Sequence, residues 1–215
     1  MTQFNFQDGK GPVPAHRHPN GGGCIADSAS VMESAYVGPD ARVSGNVRVS
    51  GNARVYGNAR VYGNAWVFGN ARVSGNARVY GDALVFGNAQ VFGKTRVSGK
   101  AQVYGNARVY GDAQVYGNAQ VFGKARVSGK ARVSGNAKVS DGHWFHSPLQ
   151  IQGSRDFLTT SSATELSIGC QTHTVDHWLD NFEAIGEEFG YTRAQIKEYG
   201  RMIRFAAAWL KGLDK

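Results

Sequence analysis

The chain has 215 residues, of which 29 are Gly and only 5 Pro, so its glycine excess is not the mixed Gly/Pro signature of disorder and points to a regular spacing. The formal charge is +8, and it is concentrated: Ala41 to Ser140 holds ten Arg and five Lys against Asp82 and Asp112, a net +13, which leaves −5 for the rest. No stretch has the apolar length of a secretory leader or a membrane span. Cys24 and Cys170 lack metal-type spacing, so free thiols in a reducing cytoplasm are expected, with no membrane partner.

In chain order, residues 1–24 form an N-terminal arm with three prolines and a Gly-Gly-Gly run, expected to wrap and cap the first repeats. From Ile25 an aliphatic residue falls at every sixth position, through Val31, Val37 and Val43 to Val139, which makes 20 hexads without an insertion. Two places earlier sits a small residue, as at Ala41, Ala53 and Ala59, with only Val47 and Thr95 differing. Within Ala-Arg-Val-Tyr, neighbours alternate across a strand, so Ala and Val face inward while Arg and Tyr face outward. Gly-Asn then makes the corner, Gly because it tolerates unusual backbone angles and Asn because it accepts left-handed ones. Ordering six residues costs roughly 6–12 kcal/mol of backbone entropy, and one buried Val returns only about 1.5–3 kcal/mol, so the units have to stack.

This repeat resembles the hexapeptide-repeat superfamily. The resemblance implies a mainly β fold: a left-handed parallel β-helix of triangular section, three hexads per coil and about 6–7 coils, over residues 25–140. The sequence offers its own test of an 18-residue coil. Between Arg42 and Arg132 the outward Arg is replaced at Trp66, Leu84, Gln90, Gln102, Gln114 and Gln120, and four of these (66, 84, 102, 120) are spaced by 18. They share one face with Phe68, Phe86, Tyr104 and Phe122, so Trp66, Phe68, Leu84, Phe86, Tyr104 and Phe122 make a candidate interface stripe. Either the C-terminal helices fold over it, or copies of the chain meet through it. The other two faces carry arginine ladders, Arg42, Arg60, Arg78, Arg96 and Arg132 on one and Arg54, Arg72, Arg108 and Arg126 on the other. With interleaved rings such as Tyr62 and Tyr80, these are candidate sites for phosphates and bases.

Residues 141–215 form a small α+β appendage. Strands are expected around 149–152, 157–160 and 166–170, then a helix from Val175 to Phe189 with Thr174 as N-cap and Gly190 as stop. A second helix comes after Thr192, with Thr192 and Gln195 at capping-box spacing and Ile196, Tyr199, Ile203, Phe205, Ala206 and Trp209 as docking positions. The first helix is acidic, suited to lie against an arginine ladder. Ile151-Gln-Gly-Ser-Arg155, Leu166-Ser-Ile-Gly-Cys170 and His173 resemble the C-terminal module of phage and prophage Gly-Asn-Ala repeat proteins. That resemblance implies an accessory protein in the cytosol of a bacterial host, including an inhibitor of host defence of the anti-CRISPR kind.

The superfamily's acyltransferases use a His beside an inserted loop, and its carbonic anhydrases bind zinc through three His on the coils. Neither site carries over, because no His lies between Ile25 and Ser140 and no loop interrupts the hexads. His173, His177 and Cys170, and separately His143 and His146, have spacings compatible with metal ligation, weighed against ordinary capping and packing. Cys170 is expected to be a buried, inert thiol rather than a nucleophile. The expectation is therefore a non-catalytic, cofactor-free scaffold, a dimer or trimer that binds a macromolecular, chiefly protein, partner. The alternatives are a binder of nucleic acid or nucleotide signals and a coenzyme A-dependent acyltransferase.

Overall fold

The computed structural model describes residues 2–213. Met1, Asp214 and Lys215, assigned by sequence to the terminal segments, lie outside the described residues. A parallel β-solenoid of about seven coils runs from Cys24 to Trp144. Each hexad contributes a two-residue strand, such as Arg60–Val61, and each strand pairs with the one 18 residues on: Trp66 with Leu84, Arg78 with Arg96, Arg72 with Gln90. Three parallel sheets result, one per side. Their ladders run without a break, Arg48 N–H to the Ala65 carbonyl at 3.0 Å and Ser50 N–H to the Val67 carbonyl at 3.0 Å being representative.

The interior is set by the period. The inward residues from Ala35 to Val139 are buried completely or nearly so, and the intercoil ladder supplies the order that one Val cannot. Thr95 keeps its place in this core because its hydroxyl donates to the Phe92 carbonyl at 3.2 Å.

The corners divide their labour differently from the expectation. Glycine alone takes the left-handed angle, as at Gly81 (φ 70°) and Gly99 (φ 66°), and among the described residues the one non-glycine with positive φ is Gln7. The asparagines instead form amide ladders along the corners: Asn64 Nδ2 donates to Asp82 Oδ1 at 3.0 Å, Asn88 Nδ2 to Asn106 Oδ1 at 3.2 Å and Asn118 Nδ2 to Asn136 Oδ1 at 3.1 Å.

At the N-terminal end, strands Thr2–Asn5 and Pro12–Arg17 form an antiparallel hairpin whose second strand pairs with Cys24–Ala26, His16 opposite Ile25. The hairpin rolls outward over the coil, burying Phe6, Ala15, Cys24 and Ala26 together. At the other end Trp144 closes the core, and its indole N–H donates to the Asp141 carbonyl at 2.8 Å.

Beyond Trp144, strands Gln150–Gln152, Phe157–Thr160, Glu165–Ile168 and Gln171–Thr174 form an antiparallel meander; the last was not expected from sequence. Helix α1 (Val175–Glu188) is capped by Thr174, whose hydroxyl accepts from His177 N–H at 3.2 Å. Helix α2 (Arg193–Leu213) begins with the expected reciprocal box, Gln195 N–H to Thr192 Oγ1 at 3.3 Å and Thr192 N–H to Gln195 Oε1 at 2.9 Å. Both helices pack on this sheet and on each other around Leu158, Leu166, Trp178, Tyr199 and Ile203.

This packing corrects three expectations. The helices find their apolar partner in the module's own sheet, so they do not fold back over the coil's apolar face. For the same reason acidic α1 makes no ion pair with an arginine ladder among the described residues. Phe205 points to solvent, 57% exposed, because α2 turns Ile203 and Ala206 inward instead.

Candidate functional site

The three sides of the coil differ chemically because the outward residue of each hexad is free to vary while the inward one is not. The first side carries Arg42, Arg60, Arg78 and Arg96, then Gln114 and Arg132. The Tyr62 and Tyr80 rings stack on it at 4.9 Å between centroids, 1° from parallel. Burial, then the charges of Arg42 and Arg78, lowers the pKa of Arg60 from its ordinary value. Burial raises that of Tyr62.

The hairpin covers the lower end of this ladder. Arg60 Nη2 donates to Gln7 Oε1 at 3.0 Å, Ser44 Oγ donates to Asp8 Oδ2 at 2.8 Å and the Arg42 guanidinium lies over the Phe4 ring at 5.3 Å. Burial raises the Asp8 carboxyl, but the Ser44 hydroxyl and the Lys10 N–H outweigh it and hold Asp8 below the usual carboxylate range.

The second basic side carries Arg54, Arg72, Gln90, Arg108 and Arg126, with Phe92 stacked on Tyr110 at 5.1 Å. It ends on His143, whose Nε2 lies 2.7 Å from the Tyr110 hydroxyl.

The third side brings the expected stripe together. Trp66, Leu84, Gln102 and Gln120 are consecutive in one sheet. Beside them Phe68, Phe86, Tyr104 and Phe122 form one unbroken stack, with centroids 4.8, 4.9 and 5.2 Å apart and planes within 7°. Each such contact is worth about 0.5–1.5 kcal/mol beyond area burial, so the stack stiffens the face it exposes. No charged side chain stands at its strand positions between Arg48, which lies over Trp66 at 4.7 Å, and Lys138. Trp66 is 41% exposed.

The C-terminal module holds a cavity of about 410 Å³ that scattered sequence positions did not disclose. Ile168, Trp178, Phe182, Ile185, Phe189, Ile196 and Ile203 line its apolar part, and Lys138, Arg155, Asp156 and Cys170 its polar rim. The turn between the first two module strands is held by α2 and the segment before it. Tyr199 Oη donates to the Asp156 carbonyl at 2.7 Å, Tyr191 Oη donates to Asp156 Oδ2 at 2.6 Å and Ser154 N–H donates to Glu198 Oε1 at 3.0 Å. Arg155 lies over the Tyr191 ring at 4.5 Å and donates to the Phe189 and Gly190 carbonyls at 3.2 and 3.0 Å. Burial, reinforced by Asp156, pushes the Tyr191 phenol well up from its ordinary value.

Cys170 is exposed, a correction to the buried thiol expected, because its strand ends at Ile168 and the thiol falls on the turn to the next strand. The His173 and His177 rings stack at 4.6 Å, and His173 meets Trp178 edge-on at 5.1 Å. Among the described residues no three His, Cys, Asp or Glu side chains gather into a possible metal site.

The family model described as YdcK Beta solenoid repeat matches residues 41–55, 53–69, 71–85, 77–93, 101–117 and 113–129. The chain carries a β-solenoid repeat. No curated protein and no solved structure matches it. Every matched stretch lies within the solenoid's coils, so the likeness speaks for the rod and not for the module beyond Ser140.

Proposed function

We propose that the solenoid is a non-catalytic scaffold that associates with copies of itself, as a dimer or trimer, through its uncharged side and presents its two arginine-bearing sides to an acidic macromolecular partner, in the first place a protein. The observation that carries this reading is the distribution of charge over three otherwise equivalent sheets. Adjacent guanidiniums about 4.8 Å apart repel by roughly 1 kcal/mol even in water, so two rods meeting through basic sides would add that repulsion at every coil. The stacked aromatic side offers apolar area without it. The uninterrupted hexads and the lack of histidine between Ile25 and Ser140 favour a binding role over the superfamily's acyl transfer. The hexapeptide label, and an accessory role in a phage-infected cytosol with host-defence inhibition as its sharpest form, rest on the sequence resemblances.

Replacing Leu84 and Phe86 together with Glu tests the association, since both point outward and neither supports the core. The double variant is expected to sediment as a monomer with an unchanged circular dichroism spectrum. An oligomer of unchanged mass would remove the uncharged side from the interface.

A second reading is supported by the Arg60, Arg78, Arg96 ladder with the Tyr62–Tyr80 stack: a track for nucleic acid or for a nucleotide, phosphates on guanidiniums and bases on rings. Titration with single-stranded oligonucleotides at several salt concentrations separates the two. Affinity for oligonucleotide that falls steeply with salt favours the second, and binding to an acidic protein alone favours the first.

A further inference from the structure

The three inward residues of the first coil, Ile25, Val31 and Val37, are equivalent by the repeat, yet the described residues seal only two of them. In every interior coil such a residue turns its N–H and carbonyl toward the preceding coil, as the Val67 carbonyl does toward Ser50 N–H. Ile25 meets the strand Pro12–Arg17, opposite His16. Val37 donates to the Asn20 carbonyl at 3.0 Å and its carbonyl accepts from Gly23 N–H at 2.9 Å, so Asn20–Gly23 acts as a partial coil beneath that side.

Val31 has no such cover. Ser30 and Met32 donate to the Val47 and Val49 carbonyls at 2.9 Å in the usual way. Among the described residues, however, the Val31 N–H, the Val31 carbonyl and the Ala29 carbonyl have no partner. Ala29 and Val31 are also the inward hexad residues that remain only partly buried, and Met32 beside them is 54% exposed.

We propose that this gap, one strand wide and flanked by Pro12–Arg17 and Asn20–Gly23, is a docking slot for an extended peptide strand of a partner protein, running parallel to Ser30–Val31. The hydrogen-bond pattern selects the occupant. Two acceptors and one donor are what an interior strand offers its predecessor, and one parallel strand answers all three. The width admits small or β-branched apolar side chains inward, as Ala and Val do in the coils above. Charge selects one flank: at the corners that bound the slot Asp27 already holds His16 Nδ1 at 2.7 Å, whereas Glu33 stands exposed, so a basic residue at the peptide's C-terminal end is favoured.

A second copy of the chain does not fit the slot. To place its own Ser30–Val31 there, it would have to push its two sealing segments into the level filled by this chain's first coil. The slot is independent of the side-to-side association proposed above, and its failure would leave that reading untouched.

The probe is a labelled peptide with the sequence of Gly87–Lys94, Gly-Asn-Ala-Gln-Val-Phe-Gly-Lys, which has the required inward Ala and Val and a basic C-terminal end. Fluorescence anisotropy is expected to show saturable binding. Changing the peptide's Val to Asp is expected to abolish it. Val31→Pro removes an N–H that no other described residue uses and is expected to weaken binding about tenfold or more while leaving the fold intact. Independently of that variant's folding, the Val31 amide in the free protein is expected to exchange with solvent far faster than those of Val37 and Val49, and to become protected on adding peptide. No binding up to about 1 mM peptide, equal binding to Val31→Pro, or a Val31 amide already protected in the free protein would each overturn the proposal.

Discussion

Coil stacking makes a sharp energetic distinction between glycines that share a backbone conformation. Gly81 and Gly129 both occupy the left-handed region, at φ 70° and 61°. An Ala at either site incurs the cost of that conformation, about 1–2 kcal/mol. At Gly81 the added Cβ would also lie 3.0 Å from the nitrogen and 3.2 Å from the oxygen of Gly99 in the next coil. Both are backbone atoms in a ladder fixed at about 4.8 Å, so they cannot swing aside, and overpacking of this kind costs roughly a further 1–3 kcal/mol. At Gly129 the nearest heavy atom is the Phe145 carbonyl oxygen at 3.6 Å, an ordinary contact. Gly81→Ala is therefore expected to cost about 2–5 kcal/mol and Gly129→Ala about 1–2 kcal/mol. Urea titrations followed by far-ultraviolet circular dichroism compare the two variants under identical conditions, which matters in a repeat array whose parts need not unfold together. Equal losses would show that conformation alone, and not intercoil spacing, holds glycine at the corners.

Three further outcomes rest on particular side chains. Asp156→Ala is expected to lower the stability of the C-terminal module by about 1–3 kcal/mol, read from a thermal transition, because the partly buried Tyr191 hydroxyl loses its acceptor. Arg60→Glu, Arg78→Glu and Arg96→Glu together are expected to weaken binding of a polyanion and flatten its dependence on salt by roughly 0.7–0.9 logarithmic unit for each phosphate no longer neutralised; an unchanged slope would remove the ladder from the binding surface. The depressed carboxyl of Asp8 means that its contribution to hairpin docking is present above the ordinary carboxylate value of 3.8 and is lost as pH falls through its lower folded value. Nuclear magnetic resonance shifts of residues 2–17 are expected to report undocking at acid pH in the wild type, and the same undocked shifts at neutral pH in Asp8→Ala.

The coil was legible in the sequence because its constraint is local and repeated. Each inward Ala or Val meets the same surroundings every six residues, and the missing arginines at 66, 84, 102 and 120 mark the 18-residue coil without any knowledge of the fold. The separation of the aromatic stripe from the two ladders is a consequence of that number alone. What escaped were features that depend on chain ends and on single tertiary contacts. The period treats Ile25, Val31 and Val37 alike, so it cannot say that Asn20–Gly23 seals one and a hairpin another while the third stays open. The hold of Tyr191 and Tyr199 on Asp156 joins residues 35 and 43 positions apart with no pattern to announce it. Apolar positions on α2 read as a docking surface because nothing in their spacing tells a partner chain from the module's own sheet. The asparagine ladders were hidden for a different reason: Gly and Asn both favour turns, and only the stacked corners reveal that one supplies the angle and the other the hydrogen bonds.

The mass of the wild-type particle in solution bears most directly on the uncharged aromatic side as a surface for self-association. Light scattering across a wide concentration range is expected to give a two- or threefold multiple of 23.1 kDa. A value of one chain mass at every concentration would contradict it.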